Sequence, residues 1–123
     1  MRFYTISTFN SHYNNYEEAR LYIDDCIADI RKENRIVIVS GCASGADALG
    51  ERYALENDFE IERYPAEWEK YGRSAGPKRN LKMAQTADCV ICFWDGKSSG
   101  TRSMINYAEK LSKQVMIKKI TLG

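Results

Sequence analysis

Two stretches of this sequence, Gly41-Cys-Ala-Ser-Gly-Ala-Asp47 and Asp95-Gly-Lys-Ser-Ser-Gly-Thr101, each follow an apolar run and precede a helical pattern. Small residues at such a junction let the backbone come close to a ligand. The first N–H groups of the helix, which have no partner inside it, then offer hydrogen bonds to a negative charge. In the first turn Gly41, Ala43, Ser44 and Gly45 supply the close approach, and Asp47 falls where it either stabilises the helix dipole or holds a ribose hydroxyl. In the second, Ser98, Ser99 and Thr101 either cap the helix or donate hydroxyls to a phosphate, with Gly100 among them. Between the two turns, the stretch from Pro65 to Asn80 gathers Trp68, Tyr71, Arg73, Lys78, Arg79 and Asn80. Arg79 suits a two-pronged phosphate contact, and Trp68 and Tyr71 suit stacking on a base. Ion pairing of Arg73 and Arg79 with Glu67, Glu69 or Asp88, and burial of Trp68 as a loop anchor, are the competing roles for the same residues.

These residues need a scaffold that brings both turns to one place. Ile36, Val37, Ile38 and Val39 show no polar alternation, so their strand is covered on both faces, as in parallel sheets of α/β proteins. Cys89-Val-Ile-Cys-Phe-Trp94 reads as a second such strand, and in a parallel sheet the turns that follow the two strands lie at the same edge. Ligands of open α/β sheets bind there, beyond the carboxyl ends of the strands. Phe3 to Ser7 form the first strand, and the polar stretch from Thr8 to Asn15 is its following loop, either facing that crevice or capping the next helix. Apolar residues at helical spacing predict helices from Tyr16 to about Glu33 and from Ala46 to Glu56, the second with Leu49 and Tyr53 inward. Asp58 to Tyr64 reads as a short third strand, and Pro65 opens a long irregular segment of the kind that usually carries function. Pro77 suits the first turn of a helix that packs Leu81, Ala84 and Ala87 inward. A further helix through Met104, Ile105, Ala108 and Leu111 and a closing strand from Gln114 to Lys118 complete a βαβαβαβαβ order. The expected fold is a Rossmann-like three-layer α/β sandwich, with a five-stranded, mostly parallel sheet and helices on both faces.

At 123 residues the chain is expected to be one domain, and a net charge of +1 gives no general attraction to nucleic acid or to acidic membranes. The sequence lacks an apolar run of the ~20 residues needed for a membrane span, and Met1-Arg-Phe-Tyr4 leads into a strand instead of a signal peptide. A cytoplasmic protein with no membrane partner is the expectation. Four cysteines and a single His12 give neither a disulfide scaffold nor a zinc site, so no metal or cofactor is predicted. Cys89 and Cys92 spell C-x-x-C, but within a strand that spacing sends the two side chains to opposite faces.

Gly41-x-Ala-x-Gly-Ala-Asp47, Pro65-Ala-x-Trp68, Tyr71-Gly72, Ala75-Gly-Pro-x-Arg-Asn80, Ala87-Asp88 and Ser99-Gly-Thr101 together resemble the YspA-like branch of the SLOG superfamily. That superfamily joins the DNA-processing protein Smf/DprA to the LOG phosphoribohydrolases. The resemblance covers nearly the whole chain, and it implies a nucleotide or nucleotide-derived ligand, such as a nucleotide-sugar or an ADP-ribose-like molecule, in the crevice described above. The chain departs from the branch in two places. A Gly-Ser-Arg-like turn after the first strand is replaced by Ser7-Thr8-Phe9-Asn10, and an Arg of the glycine motif by Ser44, so two ligand contacts are altered. The LOG enzymes also pair an Arg, matching Arg79, with a Glu whose position here is Met104. A thioether can neither carry a proton nor stabilise an oxocarbenium ion.

A binding module, acting as a sensor or a sponge, therefore uses every feature without a missing group. The alternative is a hydrolase of an N-glycosidic or phosphate-ester bond, which would need Glu67, Asp47 or Asp95 to replace the lost acid. Single-strand nucleic-acid binding through Trp68, Tyr71, Arg73, Lys78, Arg79 and Lys82 is set against the near-neutral net charge. The sequence leaves homo-oligomerisation open.

Overall fold

The computed structural model describes residues 2–10, 15–41 and 46–120, with backbone alone at 2, 3, 9, 10, 46 and 47. Five strands, β1 (Arg2–Asn10), β2 (Asn34–Ser40), β3 (Glu60–Arg63), β4 (Cys89–Trp94) and β5 (Gln114–Lys119), form one sheet in the order β3-β2-β1-β4-β5. Every pairing is parallel. The β-branched run of β2 is buried from Ile36 through Ser40 and lies between β1 and β3, as its unbroken apolar pattern requires. Chain order leaves β1 in both directions, toward β2 and β3 on one side and toward β4 and β5 on the other. The point of reversal therefore lies between the carboxyl ends of β1 and β4.

Helices α1 (Tyr16–Ile27) and α3 (Ala46–Glu56) cover one face. Tyr16, Ala19, Ile23, Ile27 and Tyr53 pack there on Ile6, Ile38, Ile91 and Phe93. The Tyr53 hydroxyl donates to Asp24 Oδ1 at 2.6 Å and ties α3 to α1, and burial, followed by that bond, holds the phenol well above its ordinary value. Helices α5 (Ala75–Thr86) and α6 (Ser99–Lys110) cover the other face, where Met83, Ala84, Met104, Ile105 and Ala108 meet Val39, Val90 and Cys92. Cys89 and Cys92 thus belong to opposite cores, as the strand period predicts, and burial pushes both thiols up to about 12. Among the described residues no helix is long and apolar enough to cross a membrane.

Several expectations about the elements are corrected. The helix expected from Tyr16 to Glu33 stops at Ile27, and a separate short helix, α2 (Ile30–Glu33), leads into β2, whose first residue is Asn34. The third strand is shorter than Asp58 to Tyr64, because Asp58 adopts a left-handed φ of 57° in the turn before it. The stretch after Pro65 is not irregular throughout. It holds α4 (Trp68–Tyr71), a 3₁₀ turn (Gly72–Ser74) and the whole first turn of α5, which begins at Ala75 and carries Pro77 without a break. Proline is tolerated there because the first N–H groups of a helix have no internal partner. Finally, Leu81 is exposed, while Asn80 and Met83 take the inward positions of α5. Thr8, Phe9 and Asn10 continue β1, and the rest of the predicted loop at 11–14 lies outside the described residues.

Candidate functional site

β2 ends at Ser40, and the next carbonyl, that of Gly41, accepts a hydrogen bond from Arg79 Nη1 at 2.6 Å. Arg79 arrives from the second turn of α5, and its Nε donates to Asn80 Oδ1 at 2.9 Å. Asn80 is only 5% exposed, which fixes the acceptor and through it the plane of the guanidinium. Gly41 is a glycine for a steric reason: a Cβ there would stand 2.8 Å from Arg79 Nη1 and 3.0 Å from Cδ and Cζ. Both oxygens that hold Arg79 are neutral, and no ion pair joins it to a carboxylate among the described residues. A half-buried guanidinium held by neutral acceptors keeps its charge for a ligand.

Arg79 lines a cavity of about 400 Å³ between α5 and the segment that follows β3. Tyr64, Pro65, Glu67 and Tyr71 line it from that segment, and Lys78, Leu81 and Lys82 line it from α5. Lys78 Nζ lies 4.8 Å from the centre of the Tyr71 ring, a cation–π contact that positions the ammonium without neutralising it. From Lys70 to Ala87 the sequence has five cations, at 70, 73, 78, 79 and 82, and no acid. The near-neutral chain therefore carries a concentrated positive field along this segment.

Of the predicted ligand contacts among the described residues, only Tyr71 and Arg79 line this cavity. Trp68 is 59% exposed, and its ring edge would lie 3.4 Å from a Cβ on Gly76, so it rests across the first turn of α5 instead of being buried as an anchor. Arg73 is exposed on the 3₁₀ turn, outside the cavity lining. Ser7 and Thr8 lie within the carboxyl half of the central strand. Both hydroxyls are buried and have no hydrogen-bond partner among the described residues. The two side chains face opposite sides of the sheet, and Thr8 Oγ1 is so close to α3 that a Cβ on Gly50 would overlap it. Ala43, Ser44 and Gly45 lie outside the described residues. Asp47 belongs to the first turn of α3, with its side chain undescribed.

At the second turn, Asp95 Oδ1 accepts from the backbone N–H groups of Lys97 and Ser98, both at 2.8 Å. The carboxylate therefore already satisfies two donors of this turn, and Asp95 closes the loop locally. Ser98 occupies the N-cap position of α6 without a side-chain capping bond, and its carbonyl accepts from Trp94 Nε1 at 3.1 Å. Ser99 and Gly100 are exposed in the first turn of α6. Thr101 is fully buried, with Oγ1 3.5 Å from Ser98 Oγ. A Cβ at Gly100 would meet nothing within 4 Å. Met104, one turn further along, is 0% exposed and belongs to the core between α6 and the sheet.

Sequence reasoning named Tyr71 and Arg79 of this cavity as ligand contacts, but gave that role to none of Tyr64, Pro65, Leu81 and Gln85. The available signal was Lys78 and Lys82 at i and i+4, two like charges on one helical stripe with an apolar residue beside them. Such an arrangement costs helix stability unless something anionic offsets it.

A family model described as "YspA, cpYpsA-related SLOG family" matches residues 10–71. The Gene 61 protein of Mycobacterium phage D29 is 35% identical over 99 residues, covering 74% of this chain and 79% of that protein. The uncharacterised SPbeta prophage-derived protein YoqJ of Bacillus subtilis (strain 168) is 35% identical over 57 residues, covering 44% of this chain and 33% of its own length. Among solved structures, DNA processing protein A (DprA) from Streptococcus pneumoniae matches 98% of this chain with a TM-score of 0.70 and 19% identity. This chain spans about half of that protein, 52%, and the likeness is one of fold. By the family match and the phage relative, the chain belongs to the YspA, cpYpsA-related SLOG family.

Proposed function

We propose that this protein binds a nucleotide or nucleotide-derived anion, of the nucleotide-sugar or ADP-ribose-like kind, at the carboxyl edge of its sheet, and that it acts as a sensor or sponge. The observation that carries this reading is Arg79. It is a half-buried guanidinium fixed by the Gly41 carbonyl and Asn80, without a carboxylate partner among the described residues, in the wall of a cavity that also holds Tyr64 and Tyr71. A phosphate on Arg79 with a base or sugar against the aromatic walls uses each of these groups. The buried Met104 speaks against hydrolysis in the manner of the LOG enzymes, since the position that would carry the acid packs against Val39, Met83 and Val90.

The test is a panel of adenine nucleotides, nucleoside monophosphates and ADP-ribose compounds, read by thermal shift for binding and by chromatography for turnover. Stabilisation without product is expected. Arg79→Lys should weaken the best ligand by about 1–3 kcal/mol, because the charge stays while the fixed guanidinium hydrogen bond is lost. Product formation that persists in Arg79→Lys would overturn both the binding role and the place of Arg79 in it.

A further inference from the structure

Besides Arg63, whose guanidinium is paired with Glu51, two kinds of cation line the cavity. Arg79 is half-buried and immobilised, with Nη1 and Nε both engaged, so it offers one fixed contact at the end of β2. Lys78 and Lys82 are exposed, lie one helical turn apart on α5 and have no carboxylate partner among the described ion pairs. Lys78 is steadied over the Tyr71 ring, and Glu67 is the one acidic side chain of the lining. A single phosphate held against the half-buried arginine leaves the exposed lysine pair, hydrated and repelling each other, with Glu67 as the one acid of the lining.

We infer that the cavity is built for a ligand with two phosphoryl groups in succession. Arg79 takes the inner group and Lys78 with Lys82 takes the outer one, so a diphosphate is preferred over a monophosphate. This rests on the nucleotide-binding reading above and specifies its anion. The lysines set the preference because an ammonium on a flexible stem can follow a phosphate that sits partly in water, whereas the fixed guanidinium cannot.

Calorimetric titration of the full chain with inorganic phosphate and with inorganic pyrophosphate tests it without reference to any base. Pyrophosphate should bind about tenfold or more tightly than phosphate, the scale of one added charge-assisted contact. Lys78→Gln and Lys82→Gln should each lower pyrophosphate affinity about three- to tenfold and leave phosphate within about twofold, while Arg79→Gln should weaken both anions. Equal affinity of the wild type for the two anions, or equal losses on both in the lysine variants, overturns the two-phosphoryl inference. If phosphate binding still depends on Arg79, the nucleotide reading survives that failure. Binding of neither anion overturns both. A thymidine 20-mer that binds far more tightly than pyrophosphate and depends on Trp68 and Arg73, outside the cavity, also overturns the inference, in favour of a nucleic-acid surface.

Discussion

At the end of β2 the Gly41 carbonyl is held by the guanidinium of Arg79, a cation brought in from another helix. At the end of β4 the amides of Lys97 and Ser98 are held by Asp95, a carboxylate of the turn itself. The two turns share a pattern of apolar strand, small residues and helix, and they lie at the same edge of a parallel sheet. Their electrostatics are opposed. The first places an unneutralised positive charge beside the strand end, and the second places a negative charge under its own donors. A glycine-rich junction is therefore permissive for an anion, and the side chain that reaches the junction from elsewhere decides whether one is welcome.

The largest expected effect lies behind the second turn. Met104→Glu would put a carboxylate among Val39, Met83, Val90 and Cys92, and loss of about 3 kcal/mol or more of stability is expected, with no nucleotide cleavage gained. Urea unfolding and an assay for released base would check both parts. A stable, active variant would mean that α6 shifts to bring residue 104 into the crevice, removing the contrast between the turns. Next comes Gly41→Ala. The new methyl would force Arg79 off the Gly41 carbonyl, so affinity for the anion should fall by about 1–3 kcal/mol, while stability falls less because the arginine tip can move toward solvent. Calorimetry and unfolding of the same preparation separate the two effects.

Asp95→Ala leaves the Lys97 and Ser98 amides without their acceptor and should cost about 1 kcal/mol of stability, as loss of a helix cap does. If it also raises phosphate affinity, Asp95 is what keeps the second turn closed to anions. The smallest effect is expected for Gly100→Val. Nothing lies within 4 Å of the added Cβ, and glycine and valine differ by less than about 0.5 kcal/mol as helix residues, so stability should hold within that margin. An affinity loss well above it would place the α6 N-terminus against the ligand as well. Unchanged affinity would confine the ligand to the first turn.

β2, β4 and the helices packed on them were legible because their signals are local and redundant: an unbroken apolar run for a strand buried on both faces, and a 3.6 period for an amphipathic helix. The region from Trp68 to Asn80 was not. Gly72, Gly76 and Pro77 each signal a break when read singly, yet Ala75 and Gly76 are buried and Trp68 lies across them, so tertiary packing carries the helix through. The inward phase of α5 was misjudged for a related reason. A polar Asn80 sits inside, where it fixes Arg79, and an apolar Leu81 sits outside, where it lines the cavity. The hydrophobic pattern is inverted where the helix serves the site instead of the core. The capture of Gly41 by Arg79 has no local signature at all, since it joins residues that meet only once β2 and α5 have packed on each other.

The arrangement of the strands also bears on how the chain acquires its shape. With every neighbour parallel there is no hairpin, so each ladder must close a long loop before any strand contact rewards it, and folding on the millisecond-to-second scale of non-local topologies follows. The delay is unequal on the two sides of β1. Its pairing with β2 joins Tyr4 to Ile36 and can begin once the chain has been made through β2, whereas its pairing with β4 joins Ile6 to Cys89. A nascent chain emerging in order therefore completes one flank of its central strand early and holds the other edge open until β4 is made. During that interval the exposed edge, with Ile6 on it, is the place where a holding chaperone or a premature neighbour would engage.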